Sequence, residues 1–222
     1  MEQTTVDLEV EQIKTLIKKT DRLKDRIIIV LAAWAGLRAN EIAKAKVNDI
    51  QKCDSSNKLT ERDPKEEVEQ GEEIQYFLRV AEKRKKQNED FEDLSKERLA
   101  FIPKYFVYDL KMLIEKEKLD KNDPLVPNKF GKHYTADGIR QRIYKVSEKA
   151  YESTGNSDFK EVSSYDLRRF FAKHTINELG KNPNVIMTVG GWDSWESIEK
   201  YIDEPSKSHI KEELKNLGRD ED

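Results

Sequence analysis

The chain has 222 residues, room for one domain with a sizeable core or at most a small pair. Charged residues make up 38% and hydrophobic residues 36%, and no apolar run nears the roughly 18 residues of a membrane span. The single cysteine, Cys53, excludes an internal disulfide and a thiol metal cluster.

The net charge of −3 argues mildly against a nucleic-acid partner, which calls for Lys and Arg. Its distribution is uneven. Acid gathers at Glu66 to Glu73, at Glu89 to Asp93 and at Asp220 to Asp222. Base gathers at Lys83 to Lys86, Arg140, Arg142, Arg168 and Arg169, so a balanced total is compatible with a basic face. The opening MEQTTVDLEVEQ is acidic and amphipathic, unlike a signal peptide, and a cytoplasmic location is expected.

Val6, Val10, Ile13, Leu16 and Ile17 predict a helix over Val6 to Lys19 that packs by one face. Asp21 is read as the N-cap of a second helix to about Ala35. Its run IIIVLAA is apolar all round and marks the central buried helix, with Gly36 as its terminating glycine. Val47 to Gln51 is a candidate strand. Lys52 to Glu73 is polar, contains Pro64, and is expected to be an inserted loop. Ile74 to Ala81 and Leu99 to Ile102 form a strand pair across the lysine-rich connection Glu82 to Arg98.

Helices are then expected over Tyr105 to Glu117 and from the cap Thr135 to about Ser153, with Leu125 and Val126 dipping into the core between them. Ser163 or Ser164 caps a helix starting near Tyr165, whose Leu167, Phe171 and Ile176 face inward. Asn182-Pro183 starts another helix, which ends at Gly190-Gly191. Ser194 caps the short segment SWESIEKYI, on which Trp195, Ile198 and either Tyr201 or Ile202 share a face. Ser206 to Leu217 is a final amphipathic helix, expected to fold back on its own domain.

Two motifs carry chemistry. The first is Gly36-Leu37-Arg38-Ala39-Asn40-Glu41-Ile42. The second is YDLRRFFAKH from Tyr165 to His174, followed by Gly190-Gly191-Trp192 and, nine residues after Trp192, by Tyr201. Taken singly each has a plain reading: Arg38 as a surface residue paired with Glu41 three positions on, Arg168-Arg169 as a solvated pair, Tyr201 as a half-buried aromatic among eight tyrosines. In this order and spacing they resemble the tyrosine recombinases of the phage-integrase family, over about Val6 to Ile202.

The resemblance implies a mainly α fold with a small antiparallel β-sheet of about three strands, the catalytic-domain fold of DNA breaking–rejoining enzymes. It implies one catalytic domain over 1–222 with a tail helix over 206–222. The N-terminal DNA-clamping domain usual in full-length recombinases is apparently absent. The implied activity is site-specific recombination or integration through a 3′-phosphotyrosyl intermediate, without metal or cofactor. Duplex DNA is the implied partner, in the nucleoid or in host-cell DNA, with assembly into a tetramer on DNA and no membrane.

By this resemblance Tyr201 is the nucleophile, and Arg38 and Arg168 hold the phosphate. Trp192 braces the nucleophile or donates its indole N–H. Lys83 best matches the hairpin lysine that protonates the leaving oxygen, with Lys85, Lys86 and Lys96 as rivals; a solvated basic loop is the plain alternative. Tyr165 stands where the family has His, and it is a poor base near neutral pH. Lys85, Lys86, Arg140, Arg142 and Arg169 are candidate DNA contacts, a solvated face being the alternative for Arg140 and Arg142. Competing readings of the whole are a DNA-binding relative that no longer cuts, and a type IB topoisomerase-like nicking and closing activity. His133, His174 and His209 are scattered, so no metal site is expected.

Overall fold

The computed structural model describes residues 6–53, 59–61, 75–82 and 96–203. Eight helices and four strands occur among them: α1 (Val10–Lys18), α2 (Leu23–Ala33), α3 (Ala39–Lys44), β1 (Ile50–Cys53), β2 (Leu59–Glu61), β3 (Gln75–Glu82), β4 (Lys96–Ile102), α4 (Val107–Glu117), α5 (Ala136–Thr154), α6 (Ser164–Lys173), α7 (Pro183–Gly190) and α8 (Trp195–Glu199).

Helix α2 is the hub. Every residue from Ile27 to Ala33 is 0–1% exposed, because α1, α4, α5 and α6 cover it on different sides. A helix surrounded this way has no polar face to present, and hence the unbroken apolar run. It starts later than Asp21 suggested: Arg22 is the N-cap residue, and Asp21 instead pairs with Lys149 of α5. Gly36, at φ +65°, turns the chain sharply out of α2. A Cβ there would overlap the Phe171 ring, so glycine is required for space as well as for backbone.

The sheet is antiparallel in the order β2-β1-β3-β4. It has one strand more than expected, since β2 falls within the polar stretch read as loop and pairs Leu59 to Glu61 with Cys53 to Gln51. In the β3–β4 pair, Arg79 faces Leu99 and Tyr76 faces Ile102. Tyr76, Leu78 and Val80 of β3 point inward with Ala100 and Ile102 of β4. Both strands are longer than their apolar cores, because polar residues continue the ladder toward the connection. The strand expected from Val47 instead opens as a 3₁₀ turn, Val47–Asp49, ahead of β1.

Thr135 and Asn182 cap their helices, Thr135 accepting from the Gly138 N–H at 3.0 Å and Asn182 from the Asn184 N–H at 2.9 Å. Of the two candidate serines Ser163 is the cap of α6, and Ser194 is the N-cap residue of α8 without a side-chain capping hydrogen bond. Leu125 and Val126 are buried. One π-turn, His174–Glu178, continues α6.

Two apolar clusters result. The main one surrounds α2 and reaches the sheet. A smaller one contains Phe171, Ala172, Ile176, Ile186, Ile198 and Tyr201. Helix α6 belongs to both, with Leu167 and Phe170 in the first and Phe171 and Ala172 in the second. No helix among the described residues is long and apolar enough to cross a membrane.

Candidate active site

The site forms where the end of α2, the start of α6 and the α7–α8 turn meet. Arg38 is the N-cap residue of α3, fixed by the buried Leu37 before it. Its backbone N–H donates to Glu41 Oε2 at 2.7 Å and its guanidinium to Glu41 Oε1 at 3.0 Å. The plain reading of Arg38 and Glu41 as partners is therefore correct. The guanidinium also reaches across the chain to the carbonyl of Gly191.

Arg168 approaches the same carbonyl from the other side. Ser163 caps α6, accepting from the Tyr165 N–H at 3.2 Å and the Asp166 N–H at 3.3 Å. Asp166 closes a capping box on the Ser163 N–H at 2.9 Å, which fixes the first turn from which Arg168 projects. Arg168 donates to the carbonyls of Gly36 and, at 3.4 Å, Gly191. It is only 8% exposed. Burial, and then the nearby Arg38 charge, pull its guanidinium down to about 9, while Glu41 acts in the opposite sense. It is still protonated at neutral pH.

Trp192 lies beneath Arg168. The Arg168 guanidinium sits 4.0 Å from the centre of its ring, a cation–π contact. On its other sides Trp192 is parallel to Phe171 at 6.3 Å and edge-on to Tyr201 at 6.1 Å. Gly190 leaves room for it, since a Cβ there would overlap the indole. Trp192 thus braces both an arginine and the tyrosine.

Tyr201 lies two residues past the end of α8, a helix shorter than its sequence suggested. It is 4% exposed, whereas Trp195, expected on the same buried face, is 43% exposed. Its hydroxyl is 2.7 Å from that of Tyr165. Asn177, on the π-turn, donates to the Tyr201 carbonyl and to Asp203 Oδ2, both at 2.9 Å. Burial and the hydrogen bond with Tyr165 push the Tyr201 phenol well up, against a smaller downward pull from Arg168 and Arg169. Tyr165 moves the other way: burial raises it, but the bond with Tyr201 and the charges of Lys200 and Arg169 together lower it.

The arrangement is two guanidiniums converging on one oxygen, with an aromatic floor and a phenol at its edge. Among the described residues no group of three or more His, Cys, Asp or Glu side chains is placed to hold a metal.

A model of the phage integrase family matches residues 6–207. This chain belongs to the phage integrase family. A search of curated proteins gave no significant match. Among solved structures, XerA recombinase is similar at 19% identity and TM-score 0.63, over 97% of this chain and 65% of that one. The Tn1549 transposon integrase in complex with a circular intermediate DNA is similar at 14% identity and TM-score 0.67, over 97% and 67%. A lambda integrase dimer bound to a COC′ core site is similar at 10% identity and TM-score 0.58, over 93% and 62%. At these identities the likeness establishes the fold. The integrase-family chain spans about two thirds of the length of these structures' chains.

The structure brings Arg38, Tyr165, Arg168, Trp192 and Tyr201 together. Lys83, Lys85 and Lys86 lie outside the described residues, as does the 206–222 stretch. Arg142 points inward: its Nε donates to Asp25 Oδ1 at 2.7 Å, and the pair is largely buried. Arg169 pairs with Asp7, its Nε 3.2 Å from Oδ1. Arg140 is exposed and pairs with Asp137 at the surface. Sequence reasoning missed Arg98 and Asn177. Arg98 had a legible signal, because alternation on β4 places it on the inward face with Ala100 and Ile102. Asn177 had none, since the π-turn that aims it is set by packing.

Proposed function

We propose that this integrase-family chain cuts and rejoins duplex DNA at specific sites, with Tyr201 as the nucleophile. The observation that carries the reading is the convergence of Arg38 and Arg168 on the Gly191 carbonyl, beside the Trp192-braced Tyr201. A scissile phosphate takes the place of that carbonyl. Its non-bridging oxygens gain charge as the phosphorus becomes five-coordinate, and two fixed guanidiniums stabilise that charge more in the transition state than in the ground state.

The step balances as follows. The Tyr201 oxygen forms a bond to phosphorus and gives up its proton past the Tyr165 hydroxyl to solvent water, and the bond from phosphorus to the 5′-oxygen breaks. That oxygen takes a proton and leaves as a 5′-hydroxyl. The 3′-phosphotyrosyl link keeps the energy of the broken bond, so a second 5′-hydroxyl can reverse the step without ATP. Lys83 is the proposed proton donor to the leaving oxygen, with Lys85, Lys86 and Lys96 as its rivals. Tyr165 is the hydrogen-bond partner of the nucleophile. Arg140 and Arg169, with Lys85 and Lys86, are proposed DNA contacts. The chain is proposed to work as a tetramer on DNA, inside the cell.

A second reading, a DNA-binding relative that no longer cuts, is favoured by one feature: Tyr201 is 4% exposed and held by a phenol rather than an imidazole. A nicked suicide substrate decides between them. The recombinase reading expects a covalent protein–DNA adduct that Tyr201→Phe abolishes. Duplex binding with no adduct supports the second reading.

A further inference from the structure

The sheet sends one charged side chain into the interior. Arg98, on β4, has a side chain only 5% exposed, on the same face as the fully buried Ala100 and Ile102. Its Nη1 donates to the carbonyl of Val189 at 2.6 Å and its Nη2 to Glu41 Oε2 at 2.7 Å. That same Glu41 oxygen receives the Arg38 backbone N–H, and the other receives the Arg38 guanidinium. Val189 lies two residues before Gly191, whose carbonyl receives both Arg38 and Arg168.

We propose that Arg98 is a positioning residue for the phosphate clamp, acting through Glu41 on Arg38 and through Val189 on the backbone that carries Gly191 and Trp192.

The physical case has three parts. Glu41 is 8% exposed, and a buried carboxylate takes the orientation that satisfies most of its charge. With Arg98 on Oε2, the orientation that leaves Oε1 facing Arg38 is the one that satisfies both guanidiniums. Second, a planar guanidinium bridges a carboxylate and a carbonyl with fixed geometry, which a lysine ammonium does not reproduce. Third, Arg38 and Arg98 both pair with Glu41, and both charges also lower the Arg168 guanidinium after the larger effect of burial, so the three cations act on one another. Arg98 sits two residues inside the start of β4.

This rests on the recombinase reading, and the test separates the two. Arg98→Lys keeps the charge and loses the fork; Glu41→Gln removes the intermediary. Single-turnover cleavage is measured on a nicked suicide duplex with either an ordinary scissile phosphate or a methylphosphonate, which lacks one charged oxygen. With the phosphate, Arg98→Lys is expected to slow cleavage by on the order of 10- to 100-fold, the usual effect of a misplaced catalytic group. DNA affinity and melting temperature stay close to wild type. Adding Glu41→Gln gives little further loss, because the two residues act in one chain. The methylphosphonate restores most of the rate, as its reacting group asks less of the cations.

An equal loss on both substrates, or no loss, overturns the proposal and leaves Arg98 as a scaffold residue. If wild type itself makes no adduct, the recombinase reading fails. The Arg38 Nε–H resonance then still decides the inference: it shifts or broadens in Arg98→Lys if Arg98 positions Arg38, and an unchanged resonance overturns the proposal.

Discussion

The hydroxyl oxygens of Tyr165 and Tyr201 stand 2.7 Å apart, each phenol the hydrogen-bond partner of the other. Burial and this bond hold the Tyr201 proton tightly, whereas the bond and the charges of Lys200 and Arg169 outweigh burial at Tyr165 and make it the more acidic of the two. With Tyr201 as the proposed nucleophile, a proton held this way makes the reaction faster as the medium becomes more basic. Cleavage by wild type is therefore expected to climb with pH above neutrality until Arg168, held down to about 9, begins to lose its charge. Tyr165→His, with an ordinary value of about 6.5, should move the climb to near neutral pH and raise the rate at pH 7 by on the order of tenfold or more. Single-turnover rates between about pH 6 and pH 10 check this; the account is wrong here if the two profiles coincide.

Gly36 and Gly190 are both required for space. Gly36→Ala combines a left-handed backbone at φ +65° with overlap of Phe171, next to the central helix. It should cost about 3 kcal/mol of stability in urea unfolding. Gly190→Ala collides with the indole of Trp192 at the edge of the small cluster. It should slow cleavage more than it lowers the unfolding midpoint, by displacing the floor under Arg168 and Tyr201.

Arg142 and Arg140 lie two positions apart on α5 and are expected to behave differently. Arg142 and Asp25 form a largely buried pair, so Asp25→Asn, which leaves the guanidinium uncompensated, should cost about 3 kcal/mol or more. Arg142→Ala should leave the salt dependence of DNA binding unchanged. Arg140→Ala should barely change stability, since exposed pairs contribute little, but should reduce the salt slope by about one. Denaturant titration and binding isotherms at several salt concentrations separate the two.

The small cluster that includes the proposed nucleophile is Phe171, Ala172, Ile176, Ile186, Ile198 and Tyr201, far less apolar burial than the α2 core provides. Stability should follow burial. Amides of α7 and α8 are expected to exchange through local opening well below the global unfolding free energy, and those of α2 only through global unfolding. Asn177→Ala, which removes the hold on the Tyr201 carbonyl, should speed exchange in α8 and at Tyr201 and leave α2 unaffected. Uniform protection across both groups in native-state hydrogen exchange would contradict this.

What the sequence disclosed and what it hid follow one physical line. The run Ile27 to Ala33 fits a helix covered on all sides, and the caps Thr135, Ser163 and Asn182 use local hydrogen bonds that a few residues specify. Arg38, Arg168, Trp192 and Tyr201 were legible through motif order. Their convergence on Gly191 was not, because it depends on how α6 and the α7–α8 turn pack. Strand β2 was hidden in a polar stretch, since an edge strand needs little apolar surface. Arg142 looked like a helix-face cation because its partner Asp25 is 117 residues away in the chain. Trp195 looked buried because α8 was read as longer than it is.

Tyr201 is proposed as a nucleophile set beside an arginine clamp. The measurement that tests it most directly is adduct formation on a nicked suicide duplex, resolved on a denaturing gel, for wild type, Tyr201→Phe, Arg38→Ala and Arg168→Ala. The account predicts a covalent adduct for wild type and none for Tyr201→Phe. It also predicts losses on the order of 100-fold or more for each arginine variant, at duplex affinity close to wild type. An adduct that persists in Tyr201→Phe, or wild-type duplex binding with no adduct at all, would contradict it.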